Sequence, residues 1–159
     1  MRKILGVDPG LKGGLSVIDE RFNFIASIPM PVKTASDGSD RIDSCPIYDF
    51  IKEYQPDLIV IEQVGSRPRQ KGVFKFGEGF GIVLGVAELL CDNIMFSRPQ
   101  EWQGHQSLIG LSKKQIAEVA FAVFKAEAIY GKPRAGKRAV RDGISDSLMI
   151  AKYGVRFLE

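Results

Sequence analysis

Asp8, Glu62, Asp142 and Asp146 are the residues of this sequence whose types and spacing could do chemistry. Asp8 ends a hydrophobic run that starts at Lys3, Glu62 ends the run Leu58-Ile59-Val60-Ile61, and Asp142 and Asp146 stand four apart. Carboxylates gathered in one place repel unless a cation joins them, so a cluster of these four asks for a divalent metal. Magnesium suits it, because Mg²⁺ takes a few carboxylates and completes its octahedron with water and phosphate oxygens. Two ions about 4 Å apart would activate a water and stabilise the leaving oxygen, which makes phosphodiester hydrolysis the natural reaction. Taken singly, each acid also has a plainer role: Asp8 starts a turn, Glu62 pairs with a basic neighbour, Asp142 caps a helix and Asp146 is solvated.

Positive charge lies beside these acids. Arg67, Arg69, Lys71 and Lys75 follow Glu62, while Lys132, Arg134, Lys137, Arg138 and Arg141 lead into Asp142 with no acid among them. The formal net charge is only +3 at pH 7, so distribution matters more than total. Two basic runs flanking an acidic centre favour phosphate contacts over loops that are merely solvated. His105, the only histidine, sits in a polar stretch and reads as a surface residue rather than a general base. Cys45 and Cys91 lack metal-ligand spacing and read as reduced core residues, which argues against zinc.

The acids need elements to position them. Lys3 to Val7, Leu15 to Ile18 and Phe22 to Ile28 read as three consecutive strands, the first two joined by the glycine-rich turn around Asp8-Pro9-Gly10 and Gly13-Gly14. Residues 33 to 43 look like an exposed loop. Ser44 opens a helix buried along Ile47, Phe50, Ile51 and Tyr54, and Leu58 to Ile61 has the continuous apolar character of a central strand. If the first and fourth strands are adjacent and parallel, Asp8 and Glu62 come side by side at their carboxyl ends, where open α/β sheets hold ligands.

A helix from about Phe74–Gly77 to Cys91 carries Phe80, Leu84 and Ala87 inward, with Gly77, Gly81 and Gly85 on one face. Three interior glycines in register imply a close backbone approach, either to the sheet or to the same helix of a second subunit. Ile94 to Ser97 forms a fifth strand and Arg98 to Trp102 a short helical turn. Ser112 with Gln115 makes a capping box for a helix with Ile116, Val119, Ala120, Val123 and Phe124 inside and Gly131 past its end. The last helix runs from Arg141 or Asp142 to Tyr153 and stacks Asp142 above Asp146.

A chain of 159 residues, 45% hydrophobic and 26% charged, suits one globular domain over residues 1–159 and excludes disordered and collagen-like classes. No apolar run approaches the roughly 18 residues needed to cross a bilayer. The start, Met-Arg-Lys-Ile-Leu-Gly-Val-Asp, reads as a strand rather than a signal peptide, so a cytoplasmic protein is expected.

Together, Val7-Asp8-Pro9-Gly10 with Gly13-Gly14, Ile61-Glu62-Gln63-Val64, Phe76-Gly77 with Gly81, and Asp142-Gly-Ile-Ser-Asp146-Ser-Leu-Met-Ile-Ala resemble the RuvC-like Holliday junction resolvases. The likeness covers nearly the whole chain and looks closest to the small phage-type members, whose final helix carries its metal-facing pair four apart. It implies an α/β, RNase H-like fold: a mixed five-stranded sheet with helices on both faces. It also implies a homodimer that nicks four-way DNA junctions symmetrically with Mg²⁺ or Mn²⁺ and no nucleotide cofactor. By this resemblance Asp8, Glu62, Asp142 and Asp146 are metal ligands, and the glycine-faced helix lies at or near the dimer interface.

The chain departs from the family pattern at two places. Many cellular members have an aromatic residue three after the motif glutamate, where this chain has Gly65, with Phe74 and Phe76 nearby. Members also often carry a lysine after the position of Trp102, where this chain has Gln103 and Gly104; Lys113 and Lys114 are the substitutes for a phosphate contact. A shape-selective nuclease acting on several branched DNAs fits these departures. Two basic surfaces related by a twofold axis would fit two arms of a junction and misfit a straight duplex.

Other readings differ in testable ways. The Asp-Pro-Gly-x-x-Gly-Gly turn also resembles the phosphate loop of actin-like kinases, but those need a second lobe. A non-catalytic branched-DNA-binding module would tolerate loss of the acids, and all four are present. An RNase H-like nuclease acting on RNA–DNA hybrids or nucleic-acid ends is separated from a resolvase by substrate comparison.

Overall fold

The computed structural model describes residues 1–65 and 71–158. In chain order its strands are β1 (Lys3–Asp8), β2 (Gly14–Asp19), β3 (Phe24–Pro29), β4 (Val32–Thr34), β5 (Asp40–Ile42), β6 (Leu58–Glu62) and β7 (Ile94–Ser97). The helices are α1 (Ser44–Tyr54), α2 (Val73–Leu90), α3 (Pro99–His105), α4 (Lys113–Phe124) and α5 (Asp142–Gly154), with short 3₁₀ turns at Glu127–Ile129 and Val155–Phe157. Five strands form the main sheet in the order β3-β2-β1-β6-β7. The meander β1–β2–β3 is antiparallel, whereas β6 runs parallel to β1 and β7 parallel to β6. This is the mixed five-stranded sheet that the family resemblance implies.

Alternation along the strands decides which layer each side chain meets. Leu5, Val7, Leu15, Val17, Ile59 and Ile61 pack under α1 and α2, while Ile4, Ile18, Leu58 and Val60 pack under α3, α4 and α5. The sheet therefore has helices on both faces, and β1 and β6 are buried on both sides. Helix α5 is the most deeply seated: ten of its residues are buried, and Asp142 and Asp146 are among the few that are not.

Several boundaries differ from the sequence expectation. Strand β3 starts at Phe24 rather than Phe22, because Asp19 accepts hydrogen bonds from the Arg21 and Asn23 amides and closes a turn with Phe22 at φ 64°. The stretch 33 to 43 is not only loop: β4 and β5 pair within it as a separate two-stranded ladder. Asp43 rather than Ser44 caps α1, accepting from the Cys45 amide at 3.3 Å. In α2 the buried line is Gly79, Val83, Val86 and Ala87, with Phe80 and Leu84 only partly covered. Helix α4 ends at Phe124, with Lys125 left-handed, well before Gly131, and Val123 faces solvent. Both cysteines are free, but Cys45 is exposed on the first turn of α1 and Cys91 half-buried, so neither is a core residue.

The glycine face resolves one alternative. A Cβ on Gly77, Gly81 or Gly85 would meet no atom of the described residues outside its own turn of helix within 4 Å, whereas one on Gly79 would lie 2.8 Å from Ile42. The three in-register glycines therefore point away from the sheet. Phe74, 88% exposed, and Leu89, 77% exposed, lie on the same stripe of α2. Among the described residues no helix is long and apolar enough to cross a membrane.

Candidate active site

Pairing between β1 and β6 runs from Ile4 with Leu58 to Val7 with Ile61, one residue short of Asp8 and Glu62. The two-residue period then puts Asp8 and Glu62 on the sheet face that carries Ile4, Leu58 and Val60, the face covered by α5. Backbone without side chains lets α5 come this close. A Cβ on Gly6 would overlap the Ser147 carbonyl oxygen, and one on Gly14 would lie 2.7 Å from the Gly143 carbonyl oxygen. The glycine-rich turn after Asp8 thus seats the first turn of α5 against the end of β1, with the Asp8 carboxylate accepting from the Gly10 amide at 3.2 Å.

Asp142 and Asp146 project from α5 one turn apart toward the same edge. Arg141 is the N-cap residue and its side chain makes no capping bond, so Asp142 is the first helical residue and not the cap. Its carboxylate instead forms an ion pair with the Lys113 ammonium at the start of α4. Glu62 is held differently: the Trp102 indole Nε1 donates to Glu62 Oε1 at 2.9 Å.

Asp8, Glu62 and Asp146 each feel acidic neighbours. Burial pushes Asp146 up to about 7, with Asp8, Glu62 and Asp142 adding to the rise and Lys113 opposing it. Glu62 is also pushed up to about 7, chiefly by burial and then by Asp8, against the Trp102 hydrogen bond. Asp8 is raised by burial and by Asp142, offset by the Gly10 amide and Lys113. Lys113 is raised in turn, first by its bond to Asp142 and then by the fields of Asp142, Asp146 and Asp8. Acids from three separated segments thus share one electrostatic site, with a lysine ammonium against its outer edge.

Among the described residues no three potential metal ligands already converge on a single point. The donor set nevertheless fits a hard divalent cation: carboxylate oxygens, with Asp8, Glu62 and Asp146 desolvated and destabilised by acidic neighbours and Asp142 already drawing one cationic side chain. Asp8, Glu62, Asp142 and Asp146 are the residues that would hold it.

The basic residues divide. Arg67 and Arg69 lie outside the described residues. Lys71 and Lys75 are exposed near the start of α2, and Lys75 borders a cleft with Lys12 and Arg41 directly after Asp8. Lys132, Arg134, Lys137, Arg138 and Arg141 line one groove, made by a loop that folds back through the bridges Tyr130–Val140 and Arg134–Lys137. Within it Arg138 is engaged internally, pairing with Glu127 at 2.6 Å and donating to the Gly131 carbonyl at 3.0 Å. Lys114 is exposed on the first turn of α4, whereas Lys113 is turned to Asp142. His105 is exposed beside Arg156 and the Tyr153 ring, apart from the acid cluster.

Sequence reasoning missed the indole that holds Glu62 and the ion pair between Lys113 and Asp142. It also missed Lys12 and Arg41 at the cleft. Only one signal pointed to the first: a buried tryptophan N–H must find an acceptor.

The family model described as "Crossover junction endodeoxyribonuclease RuvC" matches residues 4–151 of this chain. The chain belongs to the RuvC family. The RuvC of Azoarcus sp. (strain BH72), a crossover junction endodeoxyribonuclease, is 28% identical over 144 residues, which cover 82% of this chain and 73% of that one. The RuvC of Mycobacterium avium (strain 104) is 28% identical over 138 residues, covering 82% and 72%. Among solved structures, T. thermophilus RuvC in complex with Holliday junction substrate superposes with a TM-score of 0.67 at 19% identity, covering 99% of this chain and 96% of that one. That likeness bears out the RNase H-like fold. RuvC enzymes are divalent-metal-dependent nucleases, which agrees with the donor set at the β1–β6 edge.

Proposed function

We propose that residues 1–159 act as one nuclease domain in the cytosol that resolves four-way DNA junctions, and other branched DNAs, by paired phosphodiester hydrolysis. The observation that carries this reading is the shared electrostatic site of Asp8, Glu62, Asp142 and Asp146 at the carboxyl ends of two parallel strands. Mg²⁺ is the metal, with Mn²⁺ as substitute and two ions per site. When bound, the metal supplies an activated water and charge stabilisation for the leaving oxygen.

The chain's own residues do the rest. Glu62, raised by burial and Asp8, and Asp146, raised by burial and the neighbouring acids, would serve as ionised ligands once a cation offsets that repulsion. Lys113 offsets the excess negative charge beside the approaching phosphate. Lys71 and Lys75 on one side, with Lys132, Arg134, Lys137 and Arg141 on the other, give the backbone of the substrate a positive track. Paired cuts need two such sites, and the exposed glycine stripe of α2, flanked by Phe74 and Leu89, supports a homodimer formed through this helix.

The test offers four-way, three-way and linear DNAs and an RNA–DNA hybrid of shared sequence to the purified protein, with and without Mg²⁺. Metal-dependent cutting confined to the branched DNAs supports the reading. Preference for the hybrid would move the protein to the RNase H activity class, and binding without cutting would make it a junction-binding module.

A further inference from the structure

Trp102 is 1% exposed, in the core beneath α3, α4 and α5, yet its indole N–H points to a carboxylate of the acid cluster rather than to a backbone carbonyl. We propose that Trp102 is a positioning residue: its indole fixes the Glu62 carboxylate for metal binding, and Gln106 ties the Trp102 main chain to the helix that carries Asp146. The inference rests on the metal-dependent reading above and adds a residue that does not itself touch metal or DNA.

Three observations build it. The bond from Trp102 Nε1 to Glu62 Oε1 is 2.9 Å and joins residues forty positions apart. Gln106 Nε2 donates both to the Trp102 carbonyl at 3.0 Å and to the Met149 carbonyl at 2.9 Å, so one amide ties α3 to α5 one turn beyond Asp146. Short helix α3 is itself braced at its start, where the Glu101 carboxylate accepts from the Arg98 amide at 2.7 Å. Glu62 and Asp146 come from different elements, and these bonds connect Glu62 through α3 to the helix that carries Asp146.

The chemistry of the donor suits the task. An indole N–H offers one proton and no lone pair, so it orients a carboxylate without competing for the cation. Partners of metal-binding side chains act in this way, and their loss weakens metal binding by about 10- to 100-fold. A core residue whose N–H merely needed an acceptor would leave metal affinity unchanged when that N–H is removed.

The sequence holds a single tryptophan. Expression in a tryptophan auxotroph fed β-(benzothienyl)alanine therefore replaces the N–H by sulfur at this position alone while keeping the ring's shape. Calorimetric titration of the folded protein with Mn²⁺ should show affinity lowered by about 10- to 100-fold, with four-way junction binding in the absence of metal unchanged. In the unmodified protein, Mg²⁺ should shift the indole emission, and Glu62→Gln should abolish the shift; this second readout needs no analogue.

Parental Mn²⁺ affinity in the analogue protein, or indole emission indifferent to Mg²⁺, would overturn the assignment. Glu62→Ala separates the two levels. If that variant still cuts junctions, the metal-site reading itself fails; if it is inactive while the analogue protein binds Mn²⁺ as the parent does, only the role of Trp102 falls.

Discussion

Lys113 and Asp142 form an ion pair across the gap between α4 and α5, so the acid cluster carries its own partial counter-charge. The lysine side chain is 76% exposed, and exposed pairs contribute under about 1 kcal/mol to stability. Lys113→Met should therefore leave the thermal unfolding midpoint almost unchanged while slowing junction cleavage by about 10-fold or more. Equal cutting by the variant would reduce Lys113 to a surface charge.

Asp146 is more central. Asp146→Asn should lower the cleavage rate by about 100-fold or more at saturating metal, because the substitution removes an anionic ligand from the cation that would stabilise the reacting phosphate. Junction binding should persist, since the phosphate-facing cations are untouched. Retained cutting at the parental rate would take Asp146 out of the metal site.

The same group makes metal-free stability depend on pH. Folding raises the Asp146 pKa from 3.8 to about 7, so the folded state holds a proton that the unfolded chain releases. Stability from this source is full below the unfolded value and is lost as pH rises through the folded one. Without divalent ions, the unfolding midpoint should fall between about pH 4 and pH 7 and level off above, an effect on the order of a few kcal/mol. Asp146→Asn should flatten the slope, and Mg²⁺ should restore stability at the upper end. A midpoint that rises over this range in the metal-free protein would contradict the burial of these acids.

Much of the site was legible because its acids end apolar runs. A buried parallel strand writes itself as Leu-Ile-Val-Ile, and the first acid after it stands at the sheet's carboxyl edge, so Asp8 and Glu62 could be placed. The four-residue spacing of Asp142 and Asp146 survived for a similar reason, since helical period is local. What stayed hidden was non-local or ambiguous by one residue. Nothing near Trp102 announces a bond to Glu62, and Asp43 and Ser44 are equally good caps by type. Strands β4 and β5 are three residues each in a polar stretch, too short to show a period.

Gly81 offers a test of assembly that separates folding from association. Among the described residues a Cβ there meets no atom of another segment within 4 Å, and replacing an interior helical glycine removes a cost of about 1 kcal/mol. Gly81→Arg should keep or raise the stability of each subunit, yet convert dimers to monomers in analytical ultracentrifugation. A dimer that persists in the variant would place the twofold contact elsewhere.

Gly6 behaves in the opposite sense, because a Cβ there would overlap the Ser147 carbonyl of α5. Gly6→Ala should destabilise the fold by about 1–3 kcal/mol or more and weaken Mn²⁺ binding, since α5 carries half of the acid set. Chemical denaturation with parallel metal titration checks both, and an unaffected α5 contact would show in neither falling.

The measurement that bears most directly on the acid cluster is anomalous diffraction from crystals soaked in Mn²⁺. Manganese density should lie between Asp8, Glu62, Asp142 and Asp146, with carboxylate oxygens at about 2.0–2.2 Å, the range of octahedral hard-cation sites. Saturating Mn²⁺ with no density among these four residues, or bound only elsewhere on the surface, would contradict it.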